Sequence, residues 1–160
     1  RLFNISLSLH LVLAAAIATA PAFARTWPVF EQLKFLRSSL GWKGTANAVS
    51  ERLAEAPYGA LLVSSRELAA ELLYYLRDQR VPLYAWQGGD TPHNHYEMTR
   101  PFAAGTPEPI LFVSFKKCPE GVTRNFADVT EFPAARVPLV KDEVRLVYTC
   151  RLAGFKDMER

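Results

Sequence analysis

Hydrophobic and polar positions along this chain fall into two regimes. From Leu2 to Ala24 there is no formally charged side chain, and the densest part, Leu11 to Ala18, has no polar atom outside its backbone. About 20 such residues, rising 1.5 Å each, span the roughly 30 Å hydrocarbon core of a bilayer. Folded as a helix there, the backbone satisfies its own hydrogen bonds, and the few Ser and Thr bond back to the preceding turn. The pattern therefore predicts a hydrophobic helix over residues 1–25, either a last transmembrane span or a secretory leader. The leader reading rests on a basic Arg1, an apolar stretch from Leu7 to Ala18 and a small-x-small site at Ala22-Phe23-Ala24. A buried core helix fits less well, because the segment has no polar face and contains Pro21. Trp27 stands where an interfacial aromatic would. The chain opens on Arg, so further sequence is expected upstream. Both leading readings put residues from about 26 onward on the outer side of the membrane.

Residues 26–160 read as a single soluble α/β domain. Pro28 to Leu40 places Val29, Leu33, Leu36 and Leu40 on one helical face, suited to packing on the domain or lying along a membrane surface. A second helix is predicted over Thr45–Ala56. Ala60-Leu61-Leu62-Val63 is a short continuous apolar run, the mark of a strand covered on both faces. Ser64 with Glu67 three residues later predicts a capping box opening a helix over Ser65–Asp78. Val81–Trp86 reads as the next strand, which completes a β-α-β unit with parallel strands. Pro109–Phe115 is a third buried strand, and Gly121–Val129 is expected to hold one helical turn. A hairpin closes the chain, from Arg136–Val140 into Val144–Leu152, with Val144, Leu146, Tyr148, Cys150 and Leu152 on one face. The fold class is α/β: a small mixed sheet with a βαβ unit and a C-terminal antiparallel hairpin, preceded by one hydrophobic helix.

Composition narrows the function classes. At 160 residues, 49% hydrophobic and with 2 Cys, the chain is long enough for a real core and is neither disordered nor a disulfide-dense scaffold. The formal charge of +3 carries no nucleic-acid footprint: without Arg1 and Arg25, basic and acidic residues nearly balance and are interspersed. There is no G-x-S-x-G, no phosphate-cradling Gly-rich loop and no dinucleotide fingerprint after the first strand. No cofactor and no catalytic residue are expected in this chain. Chemistry-bearing side chains cluster only between Asp90 and Arg100. His93 and His95 would point to the same side if extended, but no third ligand has recognisable spacing, so no metal site is expected. His95 with Glu97 has the composition of an acid/base pair. A polar loop over the sheet edge, with Arg100 paired locally and Tyr96 buried, accounts for the same residues, as does a ligand contact at a strand end. Cys118 and Cys150 would close a loop of about thirty residues if bridged, worth about 3 kcal/mol in the chain-entropy model; as a free thiol, Cys150 would act as a small hydrophobe.

The stretch from Leu61-Leu62-Val63-Ser64-Ser65 to Leu76-Arg77, then Tyr84-Ala85-Trp86, then Asn94-His95-Tyr96-Glu97-Met98-Thr99-Arg100-Pro101 resembles the C-terminal extramembrane domain of bacterial family-39-type glycosyltransferases. These are relatives of dolichyl-phosphate-mannose protein mannosyltransferases and of the lipid A aminoarabinose transferase. Tyr148-Thr149-Cys150-Arg151-Leu152 with Gly154-Phe155 is similar to that family's closing strand. The resemblance implies an inner-membrane enzyme that moves a sugar from a polyprenyl-phosphate carrier to a glycolipid or other cell-envelope acceptor on the periplasmic side. Residues 1–25 would then be its last span, and the rest of the membrane part its partner. The family's acidic catalytic residues lie in an early extramembrane loop that has no counterpart here. What carries over is His95, Tyr96, Glu97 and Arg100, as contacts for the acceptor or for docking the domain. The planar donor fork of Arg100 suits the phosphate or carboxylate of an anionic sugar or lipid headgroup.

Overall fold

The computed structural model describes residues 2–23, 38–139 and 143–156; the predicted helix Pro28–Leu40 lies almost wholly outside them. The first element, α1 (Leu2–Phe23), has 22 residues and a length of about 33 Å. Residues 2–19 are exposed throughout, and the Thr19 hydroxyl donates to the Ala15 carbonyl at 2.8 Å, as expected for a hydroxyl in an apolar helix. It is long and apolar enough to cross a membrane, a property that a signal segment shares.

Residues Trp42–Val137 and Arg145–Arg160 form a separate compact unit. Its elements are α2 (Trp42–Ala54), β1 (Ala60–Val63), α3 (Arg66–Tyr75), β2 (Leu83–Ala85), α4 (His95–Thr99), β3 (Ile110–Ser114), α5 (Glu120–Thr123), β4 (Phe126–Glu131), β5 (Ala135–Pro138) and β6 (Val144–Phe155). The sheet is mixed, in the order β2-β1-β3-β6-β4, and β5 also pairs with β6. β1 is parallel to both β2 and β3, with Leu61 opposite Leu83 on one side and Leu111 on the other. β6 then runs antiparallel to β3 and to β4.

Alternation along β1 and β3 divides their apolar side chains between two cores. Leu61, Val63, Leu111 and Val113 face a layer made by α2 and α3, where Val49, Leu68 and Leu72 are buried. Ala60, Leu62, Ile110 and Phe112 face the opposite side, against Phe102, Val122, Phe126, Cys150 and Leu152. Every residue of both strands is buried, which is why all of them but Ser114 are apolar. Among the described residues of this unit, no helix of α2 or α3 length packs in the second core. Its cover is aromatic: Phe102 meets Trp86, Phe126 and Phe155 with ring centroids 5.6, 5.9 and 5.0 Å apart. The Cys118–Cys150 disulfide, with Cα atoms 6.5 Å apart, ties the segment before α5 to the middle of β6 on that same side.

Several local features differ from the sequence pattern. The cap of α3 is Ser65 and not Ser64: its Oγ accepts the Leu68 N–H at 3.3 Å, so the box expected with Glu67 does not form. Glu67 instead accepts from the Arg66 guanidinium at 2.9 Å, a contact that, with its own backbone N–H, holds its carboxyl below the usual range. α3 stops at Tyr75, three residues short of Asp78, and α2 begins earlier, at Trp42. The expected turn over Gly121–Val129 is a four-residue helix followed by a strand, β4. β4 escaped the pattern because it is a mostly exposed strand pairing only with β6, its polar residues engaged in ion pairs of Asp128 with Arg151 and Glu131 with Lys117. Arg145 lies half-buried over the Trp42 ring, 4.3 Å from its centroid, and burial pulls its pKa down.

Phe112 is fully buried against the aromatic cover; Phe112→Ala is expected to lower unfolding stability by about 3–5 kcal/mol in urea denaturation. Because the folded-state pKa of Glu67 is depressed, its contribution is present above the ordinary 4.5 and lost as pH falls through the lower folded value. Glu67→Gln should therefore reduce the acid-induced loss of stability below pH 4.5, and an unchanged pH profile would remove this contribution.

Candidate functional site

β2 is an edge strand of only three residues, its outer side engaged by a single bridge between Ala85 and Pro101, and a groove lies beside it. Three pieces of chain shape it: the C-terminal end of α3 with the following turn, β2 itself, and α4 with the residues after it. The leucine stripe of α3 continues past the helix as Leu76, after which the chain turns, with the Gln79 N–H donating to the Leu76 carbonyl at 2.8 Å. The Gln79 amide also donates to Ser50 Oγ on α2 at 3.2 Å, fixing that turn. On the outer side of β2, the Ala85 N–H donates to the Arg100 carbonyl at 2.8 Å, and the Phe102 N–H donates to the Ala85 carbonyl at 3.0 Å. These bonds hold the backbone of Arg100 beside the strand edge.

The result is a cleft of about 220 Å³, with Leu53, Leu61, Leu72 and Leu83 as its buried lining and Arg77, Arg80 and Arg100 among its exposed lining. A shallower depression shares Pro82, Leu83 and Arg100 with it and adds Tyr84, His95 and Thr99. No carboxylate lines either. Arg77 donates to the Tyr74 carbonyl at 2.9 Å and lies 5.0 Å from the centre of the Tyr74 ring. Among the described residues, Arg80 and Arg100 have no carboxylate within ion-pairing distance.

The four residues singled out from the sequence divide between two roles. The segment expected to be a loop contains the short helix α4, capped by Asn94, whose side-chain oxygen accepts from the Tyr96 and Glu97 N–H groups at 3.0 and 3.2 Å. Glu97 completes that cap, accepting from the His93 N–H at 2.7 Å and the Asn94 amide at 2.6 Å. Its carboxylate is thus held by the local backbone and does not face His95 as an acid/base partner. Tyr96 is half-buried and packs against the α2–α3 core. Arg100 lines both the cleft and the adjoining depression, and His95 lines the depression alone. His95 opens α4 while His93 lies before its cap, and no group of three His, Cys, Asp or Glu side chains lies within metal-binding reach among the described residues.

Arg77 and Arg80 were missed by sequence reasoning. Their local signal is two arginines three apart just after a leucine stripe, which reads equally well as a solvated helix end. Only the fold sets Arg100 beside them. Chemically, the groove presents an apolar lining with guanidinium forks at its rim, a combination suited to binding an anion that carries an apolar part.

Removing the carboxylate that closes the α4 cap should loosen the groove's outer wall. Glu97→Ala is expected to cost about 1 kcal/mol and to speed hydrogen exchange of residues 93–99 about fivefold. Unchanged exchange there would mean that the carboxylate is dispensable to the cap.

Set against protein-family models, curated proteins and solved structures, the chain matches none.

Proposed function

We propose that this chain is the C-terminal, membrane-anchored periplasmic domain of an integral-membrane glycosyltransferase that transfers a sugar from a polyprenyl-phosphate donor to a cell-envelope acceptor. In this reading α1 is the last span in the bacterial inner membrane, and the α/β unit is an accessory lobe beside the membrane part that carries the reaction. The observation that carries it is the pairing, in one chain, of an exposed apolar helix of spanning length with an α/β unit whose groove offers Arg100 and His95 but no carboxylate lining. Such a groove supports holding an anionic acceptor or docking against another part of the enzyme. The Cys118–Cys150 bridge supports an oxidising compartment. The alternative is a secreted periplasmic module, favoured by the small-x-small sequence Ala22-Phe23-Ala24.

Two measurements on the protein expressed in a bacterium test the proposal. Its N-terminal segment should be retained, and the protein should stay in the membrane fraction through carbonate extraction; a soluble product beginning at Arg25 would establish the alternative. The parent enzyme should transfer sugar from a polyprenyl-phosphate donor, and Arg100→Ala should lower that transfer about tenfold or more if the arginine holds acceptor. Sugar transfer by residues 1–160 alone would overturn the accessory role.

A further inference from the structure

The arginine-rimmed groove has a second property that does not depend on which reaction the parent protein catalyses. Three arginines from two separate parts of the fold, Arg77 and Arg80 on one side and Arg100 on the other, line one opening. No carboxylate lines the opening, none is ion-paired with Arg77, Arg80 or Arg100 among the described residues, and Glu97 is bonded to His93 and Asn94. Each arginine-bearing segment also exposes a large apolar side chain. Tyr74, stacked with Arg77, is 62% exposed, and Met98, two residues before Arg100, is 67% exposed. Arginine beside exposed tyrosine and methionine is the composition of a surface that meets lipid headgroups, where the ring or thioether enters the interface and the cation stays at phosphate level. A helix of membrane-spanning length in the same chain would keep such a surface at high effective concentration near a bilayer.

We propose that the surface formed by the end of α3, its following turn and α4 is a docking surface for an anionic lipid bilayer, with Arg77, Arg80 and Arg100 on the headgroup phosphates and Tyr74 and Met98 at the interface. The attraction is the additive pull of three cations on a negative surface, together worth about a hundredfold in the docked population. It fades within a Debye length, which shrinks from about 10 Å at 0.1 M salt to about 3 Å at 1 M. A bilayer reads charge at a surface, not a fixed donor geometry, so lysine should replace arginine with little loss.

The test is hydrogen exchange on the full chain in nanodiscs, comparing phosphatidylglycerol-rich with pure phosphatidylcholine bilayers. Residues 73–84 and 95–101 are expected to be protected in the anionic discs only, and to lose that protection at 1 M salt. The triple variant Arg77→Gln, Arg80→Gln, Arg100→Gln should lose it about a hundredfold, and the corresponding triple lysine variant should keep most of it. Unchanged slow exchange in β3 verifies that each variant is folded. Equal protection in both kinds of disc would overturn the proposal. So would protection induced in neutral discs by inorganic phosphate alone, which would indicate a small-anion site, or loss in the lysine variant as complete as in the glutamine one, which would indicate a guanidinium-specific ligand.

Discussion

Burial of β1 and β3 on both faces is the constraint on which the rest of this α/β unit depends. A strand with apolar side chains on both faces needs two cores, and the chain supplies them by unlike means. Helices α2 and α3 close one side with aliphatic residues. Phenylalanines from loops and strands close the other, beside the Cys118–Cys150 disulfide. Because β1 and β3 are central, they need partners at both edges as well: β2 on one side and β6 on the other. The groove forms beside β2, whose outer edge is covered only by the bridge from Ala85 to Pro101.

That groove is a consequence of how little of β2 there is. Three residues cover Leu61 and Val63 by pairing, but they leave an opening between the end of α3 and the segment after α4. Leucines that continue the core line it, and the arginines that punctuate the ends of two helices stand at its mouth. No separate scaffold is required. An apolar cleft with a cationic rim arises wherever a helix bearing a leucine stripe outruns the strand edge it covers and ends in arginine.

The tertiary structure also divides residues that the sequence grouped. His95, Tyr96, Glu97 and Arg100 are four neighbours of similar chemical interest, yet winding into α4 sends them to different environments. Asn94 and Glu97 satisfy the helix start, Tyr96 joins the core, Arg100 reaches the groove and His95 the depression beside it. The same spacing that places Glu97 two residues from His95 also places it three from Asn94, and the capping interaction, which satisfies backbone donors that would otherwise be orphaned, takes the carboxylate.

The sequence by itself determined what depends on local periodicity and on runs of one kind of residue: the apolar helix, the two buried central strands, the helix between β1 and β2, and the alternating last strand. Each is a one-dimensional pattern whose physical cause, burial of a stripe or a face, is written into consecutive residues. Tertiary structure alone decided what depends on meetings between distant residues. The polar strand β4 has too few apolar side chains to announce itself and is held by pairing with β6. The cap falls on Ser65 and not Ser64, whose N–H is still bonded to the Val113 carbonyl of β3 at 3.2 Å. Arg77, Arg80 and Arg100 became one cluster because backbone hydrogen bonds at Ala85 carry residue 100 to the sheet edge, a contact that no spacing in the sequence encodes.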